Sequence, residues 1–191
     1  AAIRVRPDLL TTLSYLTCQV KAPLTLGMGN ANELQWWVDA SFGTRFEMRS
    51  QTGATLSFGI GSIYSMSRKQ KLNTTSSTEA EIVGVHDAML QIIWFRHFII
   101  AQKVKICRNI LFQDNRSAIL LHRNGTNSSS RNTRHINIRY FFLKDKIKSG
   151  EIEVVFCPSE EMIADFFTKP IQGKRFMDLR KIIMGEHDEQ G

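Results

Sequence analysis

Two aspartates sit where aspartate is uncommon. Asp39 interrupts the apolar run "WWVDASF", and Asp114 closes the apolar run "ILFQDN". Both runs read as strands, where aspartate is depleted, and an ionised carboxylate is seldom buried without a partner. Each has an ordinary reading. Asp114 can cap a helix begun by "NRSAILL", and Asp39 can start a turn at Ser41 to Gly43. The other reading makes them neighbours at the ends of adjacent strands. Carboxylates a few ångström apart repel one another, and a multivalent cation relieves that repulsion. Oxygen-only ligands select a hard ion such as Mg²⁺ or Mn²⁺.

A further acid comes from "SSTEAE", Ser76 to Glu81. Ser76-x-x-Glu79 and Thr78-x-x-Glu81 both match a capping box, so the box does not choose between the glutamates. Helical spacing does. Steps of three, four, seven and eleven from Glu81 meet Gly84, Val85, Ala88 and Ile92, a small and apolar stripe suited to a sheet. The first four such positions from Glu79 are Ile82, Val83, His86 and Leu90, with His97 further along. Glu81 is therefore expected to point inward and Glu79 to cap, on a helix buried on more than one face.

These residues need a frame. Residues 1–35 read apart from the rest, with Leu9, Leu10, Leu13 and Leu16 at helical spacing and then a linker around "GMGNAN". Three strand-like runs follow, "LQWWVDASF", "GATLSFGIG" and "SIYSMSRKQ", with a long helix from about Thr78 to Ala101. "KICRNILFQDN" is strand-like and "RSAILLHRN" helical. "TRHINIRYFFLKDKIK" is a basic helix, "EIEVVFCP" a strand and "SEEMIADFFTK" a short helix. "GKRFMDLRKIIMG" is a terminal helix with Phe176, Leu179, Ile182 and Ile183 on one side. A βββ-α-β-α-α-β-α-α order predicts an α/β chain, a mixed sheet with helices packed on it. Alternation sends Trp36 and Trp37 to opposite faces, and Phe141, Phe142, Phe166 and Phe167 are expected in the core. The divisions are 1–35 as linker and remnant, 36–170 as the central domain and 171–191 as a C-terminal helix and tail.

Composition narrows the class. The 191 residues carry 25 basic against 18 acidic side chains, a formal charge of +7, which favours an anionic partner such as nucleic acid. Cys18, Cys107 and Cys157 lack metal-type spacing and read as reduced intracellular thiols. The run "AMLQIIWFRHFIIA" is broken by Arg96 and His97 and is too short to span a bilayer. No signal peptide is visible, and a start at Ala1 suggests a piece of something longer.

"WVDAS", "RSQTGATLSFG", "SRKQKLNTTSSTEAE", "QDNRSAILL", "RNTRHINIRYFFLKDKIKSGEIEVVFCPSEEMIADFFTKP" and "RFMDLRKIIMG" together resemble the RNase H region of copia-type (Pseudoviridae) LTR-retrotransposon polyproteins, over about residues 35–185. "RPDLL" resembles the end of the reverse-transcriptase region of the same polyprotein, and the chain between Pro23 and Trp36 is shorter than the family pattern. The resemblance implies an RNase H-like fold, with a five-stranded mixed sheet and helices on both faces. It implies two-metal hydrolysis of the RNA strand of RNA/DNA hybrids, with Mg²⁺ or Mn²⁺ held by Asp39, Glu81, Asp114 and Asp165. Asp165, by itself an ordinary acid near a helix end, enters mostly by resemblance. Hybrid contacts are expected from Arg68, Lys69 and Lys71, from Arg131, Arg134 and Arg139, and from Asn115. The implied partners are the hybrid and the reverse-transcriptase domain. The implied setting is intracellular, in a cytoplasmic virus-like particle or the nucleus.

Many cellular and retroviral members of the RNase H fold carry a histidine in the loop before the last catalytic helix. Here that loop reads "CPSEE", and His135 is not taken as a replacement. Two other functions stay in view. A decayed or domesticated copy would keep the fold as a nucleic-acid-binding module. An integrase-like nuclease would place its glutamate late in the chain, whereas here the glutamate is early.

Overall fold

Alternation along one strand sets the architecture. The structure, a computed structural model, describes residues 24–29, 32–44, 48–119 and 134–186, with Met28 and 134–140 described by backbone alone. Strand β1 is Gly27–Met28 and β2 is Glu33–Ser41. Leu34, Trp36 and Val38 of β2 all point to one face and are fully buried. Trp37 points the other way and stacks on Phe112, with ring centroids 5.0 Å apart. The two tryptophans thus divide between the faces as alternation requires.

Strands β3 (Gln51–Ser57), β4 (Gly59–Ile60) and β5 (Tyr64–Lys69) follow. Then come helix α1 (Ser77–Ala101), β6 (Arg108–Gln113), α2 (Arg134–Lys148), β7 (Glu153–Phe156) and α3 (Gly173–Met184). Five strands form one sheet in the order β5-β3-β2-β6-β7. The β2–β3 and β3–β5 pairs are antiparallel, and the β2–β6 and β6–β7 pairs are parallel. This is the mixed five-stranded sheet with helices that the element order predicts.

Helix α1 lies on the Trp36 face. Val85, Ala88, Met89 and Ile92 meet Leu34, Trp36, Val38, Ala54, Leu56 and Leu111 there, with Leu143 of α2 closing the cluster. The start of α1 is buried without a break from Ala80 to Val85, so it is enclosed on more than one face. A smaller cluster of Cys157, Met162 and Ala164 lies on the opposite face, against Trp37 and Phe112.

Several elements depart from their local signals. "GATLSFGIG" is not one strand. It breaks at Phe58, where Gly59 takes a φ of 127°, and β4 turns away to pair with β1. The helix expected over "SEEMIADFFTK" is instead two 3₁₀ turns, Ser159–Glu161 and Ile163–Phe167. Between them Met162 is extended, because its side chain is drawn wholly into the core. In α3 only Leu179 is buried, while Phe176 stacks on Phe166 at 5.2 Å. Phe141 is 63% exposed and is not part of the core. Residues 116–119 are helical, as expected for "RSAILLHRN", and the remainder of that run lies outside the described residues, as do Cys18 and the leucines near the start. Thr25 N–H donates to Met184 O and Ser62 N–H to Ile183 O, both at 2.8 Å, so the segment before β2 and the β4–β5 turn hold the end of α3.

Candidate metal centre

Asp39 pairs in register with Gly53 and shares the face of Trp37, away from α1. A Cβ on Gly53 would lie 2.7 Å from Thr168 Cγ2 and 2.9 Å from the Ala164 carbonyl oxygen. The 163–168 segment therefore passes directly over bare backbone. That approach lets the Thr168 hydroxyl donate to Asp39 Oδ2 and sets Lys169 Nζ 3.6 Å from the same oxygen.

Glu81 arrives from the other face. Gly84 allows α1 close to the sheet, since a Cβ there would lie 3.3 Å from Ala40 Cβ. Glu81 is 5% exposed, with Oε1 accepting from Ala40 N–H at 3.2 Å and Oε2 from the Gln113 side-chain amide at 2.7 Å. Glu79 instead closes the helix start. Its N–H donates to Ser76 Oγ at 3.2 Å, and its Oε2 accepts from both Thr75 N–H and the Thr75 hydroxyl at 2.6 Å. The two glutamates divide as helical spacing predicts, although Glu79 reaches back to Thr75 rather than to Ser76.

Asp114 follows β6 directly. Because β6 runs parallel beside β2, their C-terminal ends are neighbours. The helical turn after Asp114 is capped by Asn115, whose Oδ1 accepts from Ala118 N–H at 3.0 Å. Asp114 is thereby released from capping, and it accepts from the Ser159 hydroxyl at 3.1 Å. One carboxylate oxygen from each of Asp39, Glu81 and Asp114 lies within 4.8 Å of the others.

Burial works against charge here. Desolvation is the main cause that raises Glu81 well above the usual carboxylate range, with repulsion from Asp39 next. Desolvation also raises Asp39, opposed in part by the Thr168 hydrogen bond and by Lys169. The donor set is three carboxylates with no nitrogen or sulfur, which fits a hard divalent cation, and such an ion would relieve the repulsion. Asp165 is buried nearby but stands outside this trio. Lys169 Nζ pairs with its Oδ1, and Arg175 donates to its Oδ2 at 2.7 Å and to Ser159 O at 2.7 Å.

No family model matches the chain. It is 28% identical over 155 residues to the retrovirus-related Pol polyprotein of transposon TNT 1-94 from Nicotiana tabacum, covering 81% of this chain and 11% of that polyprotein. It is 30% identical over 145 residues to the transposon Ty1-NL2 Gag-Pol polyprotein of Saccharomyces cerevisiae, covering 76% of this chain and 8% of that polyprotein. The chain thus spans about a tenth of the length of these relatives. LC11-RNase H1, isolated from compost, superposes with a TM-score of 0.53 at 12% identity over 72% of this chain and 93% of its own. The chain corresponds to a region of copia/Ty1-type retrotransposon Pol polyproteins. Its fold is RNase H-like.

Around this Pol region's acids, the expected substrate residues fall in different places. Arg68 and Lys69 are exposed at the end of β5, the outer strand of the sheet. Arg131 and the side chains of Arg134 and Arg139 lie outside the described residues. The loop that lacks a histidine presents the Ser159 hydroxyl to Asp114 instead. Sequence reading missed Thr168, Lys169, Arg175, Gln113 and Ser159. Lys169 had a local signal, four residues after Asp165, a spacing that pairs charges along a turn. Gln113 had one as well, a polar residue on the strand face of Leu111. Thr168 and Ser159 had none, because they meet Asp39 and Asp114 across 129 and 45 residues of chain.

Proposed function

We propose that this chain is the ribonuclease H part of a retrotransposon Pol polyprotein, a metal-dependent endoribonuclease that hydrolyses the RNA strand of RNA/DNA hybrids during reverse transcription. The observation that carries this reading is the meeting of Asp39, Glu81 and Asp114 within 4.8 Å on an RNase H-like sheet. These three carboxylates would hold Mg²⁺ or Mn²⁺, with Asp165 as the adjoining fourth acid. Two such ions, when bound, activate water and stabilise the charge that develops on the phosphate and the leaving oxygen.

The protein's own part is to hold oxygens in place before substrate arrives. Glu81 is fixed at both oxygens, by Ala40 N–H and by the Gln113 amide. Thr168 orients Asp39, and Ser159 orients Asp114. Fixed donors and acceptors in a partly dry site cost little reorganisation during the reaction. Arg68 and Lys69 on β5, with Arg134 and Asn115, would grip phosphates and 2′-hydroxyls of the hybrid, in keeping with a net charge of +7. The reverse-transcriptase domain of the same polyprotein would deliver that hybrid, inside the cell. Among the described residues no helix is long and apolar enough to cross a membrane.

A second reading, a hybrid-binding module that does not cut, is favoured by one observation: both carboxylate oxygens of Asp165 are engaged by cations of the chain itself. Labelled RNA/DNA hybrid, RNA duplex and DNA duplex, each with Mg²⁺ or Mn²⁺, separate the two. Selective cutting of the RNA in the hybrid supports the enzyme, while tight hybrid binding without cutting supports the module.

A further inference from the structure

The charges around the four acids are divided unevenly. Asp39, Glu81 and Asp114 meet one another, and among the described residues their hydrogen-bond donors are neutral: Thr168, Ala40 N–H, Gln113 and Ser159. Asp165 has Lys169 on one oxygen and Arg175 on the other. Lys169 does more than pair with Asp165. Its ammonium also stands 3.6 Å from Asp39 Oδ2, so it bridges the gap between the trio and the fourth acid.

We propose that Lys169 is a built-in counter-cation of this site, occupying the space between Asp39 and Asp165 that a second divalent ion would use. The proposal rests on the reading of the acids as a metal centre. A compact ammonium and a divalent ion cannot share the same carboxylate oxygens without strong repulsion. The trio is left able to take one ion at once, and a second enters only when Lys169 swings away. Lys169 is 43% exposed at its side chain, so it has solvent to swing into. Arg175 keeps hold of Asp165 when Lys169 leaves, because its guanidinium is braced on Ser159 O.

The test is Mn²⁺ binding to the intact chain, by calorimetry and by electron paramagnetic resonance, in the absence of nucleic acid. Lys169→Met and Lys169→Gln are expected to take one more Mn²⁺ per chain than the parent, or to bind it at least about tenfold more tightly. Lys169→Arg, which keeps the charge, is expected to behave as the parent. Unchanged stoichiometry and affinity in both neutral variants would overturn the proposal, provided the parent's binding is lost in Glu81→Gln. If Mn²⁺ binds in none of the variants, the metal-centre reading fails and this proposal falls with it.

Discussion

Asp39 and Gly53 face each other across the β2–β3 pair, and the bare backbone of Gly53 is what admits the Asp165 turn to the Asp39 carboxylate. A methyl group at Gly53 would press on Thr168, Phe167 and the Ala164 carbonyl, two of them backbone or near-backbone atoms with little freedom to yield. Gly53→Ala is expected to cost about 1–3 kcal/mol of stability by overpacking. It should also weaken hybrid cutting by shifting Thr168 off Asp39. Urea unfolding measures the first effect. Gly84→Ala is the comparison, with a nearest contact of 3.3 Å and a smaller expected loss.

Burial makes an ionised Glu81 costly to the metal-free fold. Glu81→Gln removes a buried charge and is expected to raise metal-free stability at neutral pH by about 1–3 kcal/mol. Gln113 Oε1, which has no hydrogen-bond partner among the described residues, accepts from the new amide once the Gln113 amide turns over. Added Mg²⁺ should raise the melting temperature of the parent and leave that of Glu81→Gln nearly unchanged. A parent melting temperature indifferent to divalent ions would count against the site.

The pH dependence follows from the same acids. Asp39 and Glu81 bind their protons more tightly in the folded chain than at their ordinary values of 3.8 and 4.5. Their favourable contribution is present below those values and is lost as pH rises through the raised folded ones. Metal-free stability of the parent, taken relative to Glu81→Gln, should therefore fall as pH climbs from about 4 toward neutral. Chemical denaturation at a series of pH values reads this difference directly, and a flat difference would refute it.

The two glutamates of "SSTEAE" should separate in function. Asp39→Asn, Asp114→Asn and Glu81→Gln are each expected to lower hybrid cutting by about 100-fold or more, as loss of a charged group that acts on the reacting phosphate does. Glu79→Gln should cut at close to the parent rate. Ser76→Ala should also keep activity while losing about 1 kcal/mol of stability, because Ser76 Oγ receives the Glu79 N–H at the helix start. Single-turnover cleavage together with thermal melting distinguishes a lost ligand from a lost cap.

Much of this arrangement was present in local patterns. Period-2 alternation placed Trp36 and Trp37 on opposite faces, and helical spacing gave Glu81 to the sheet and Glu79 to the cap. Both are decided within a few residues of chain, by backbone geometry that each segment carries with it. Local pattern could not decide between neighbours with equal propensity, and so left Asp114 open as a cap where Asn115 serves.

The mixed sheet, the long helix after its first strands and the inward glutamate were thus determined by the sequence alone. Tertiary structure alone decided that β4 leaves the meander for β1, that Met162 breaks a short helix into 3₁₀ turns, and that Phe141 stays in solvent. It alone set Thr168 and Lys169 on Asp39, and Arg175 on Asp165. The physical reason is distance along the chain. A hydrogen bond closed across 129 residues depends on which strands pair, which glycine lies beneath a passing turn, and what fills the core beside it.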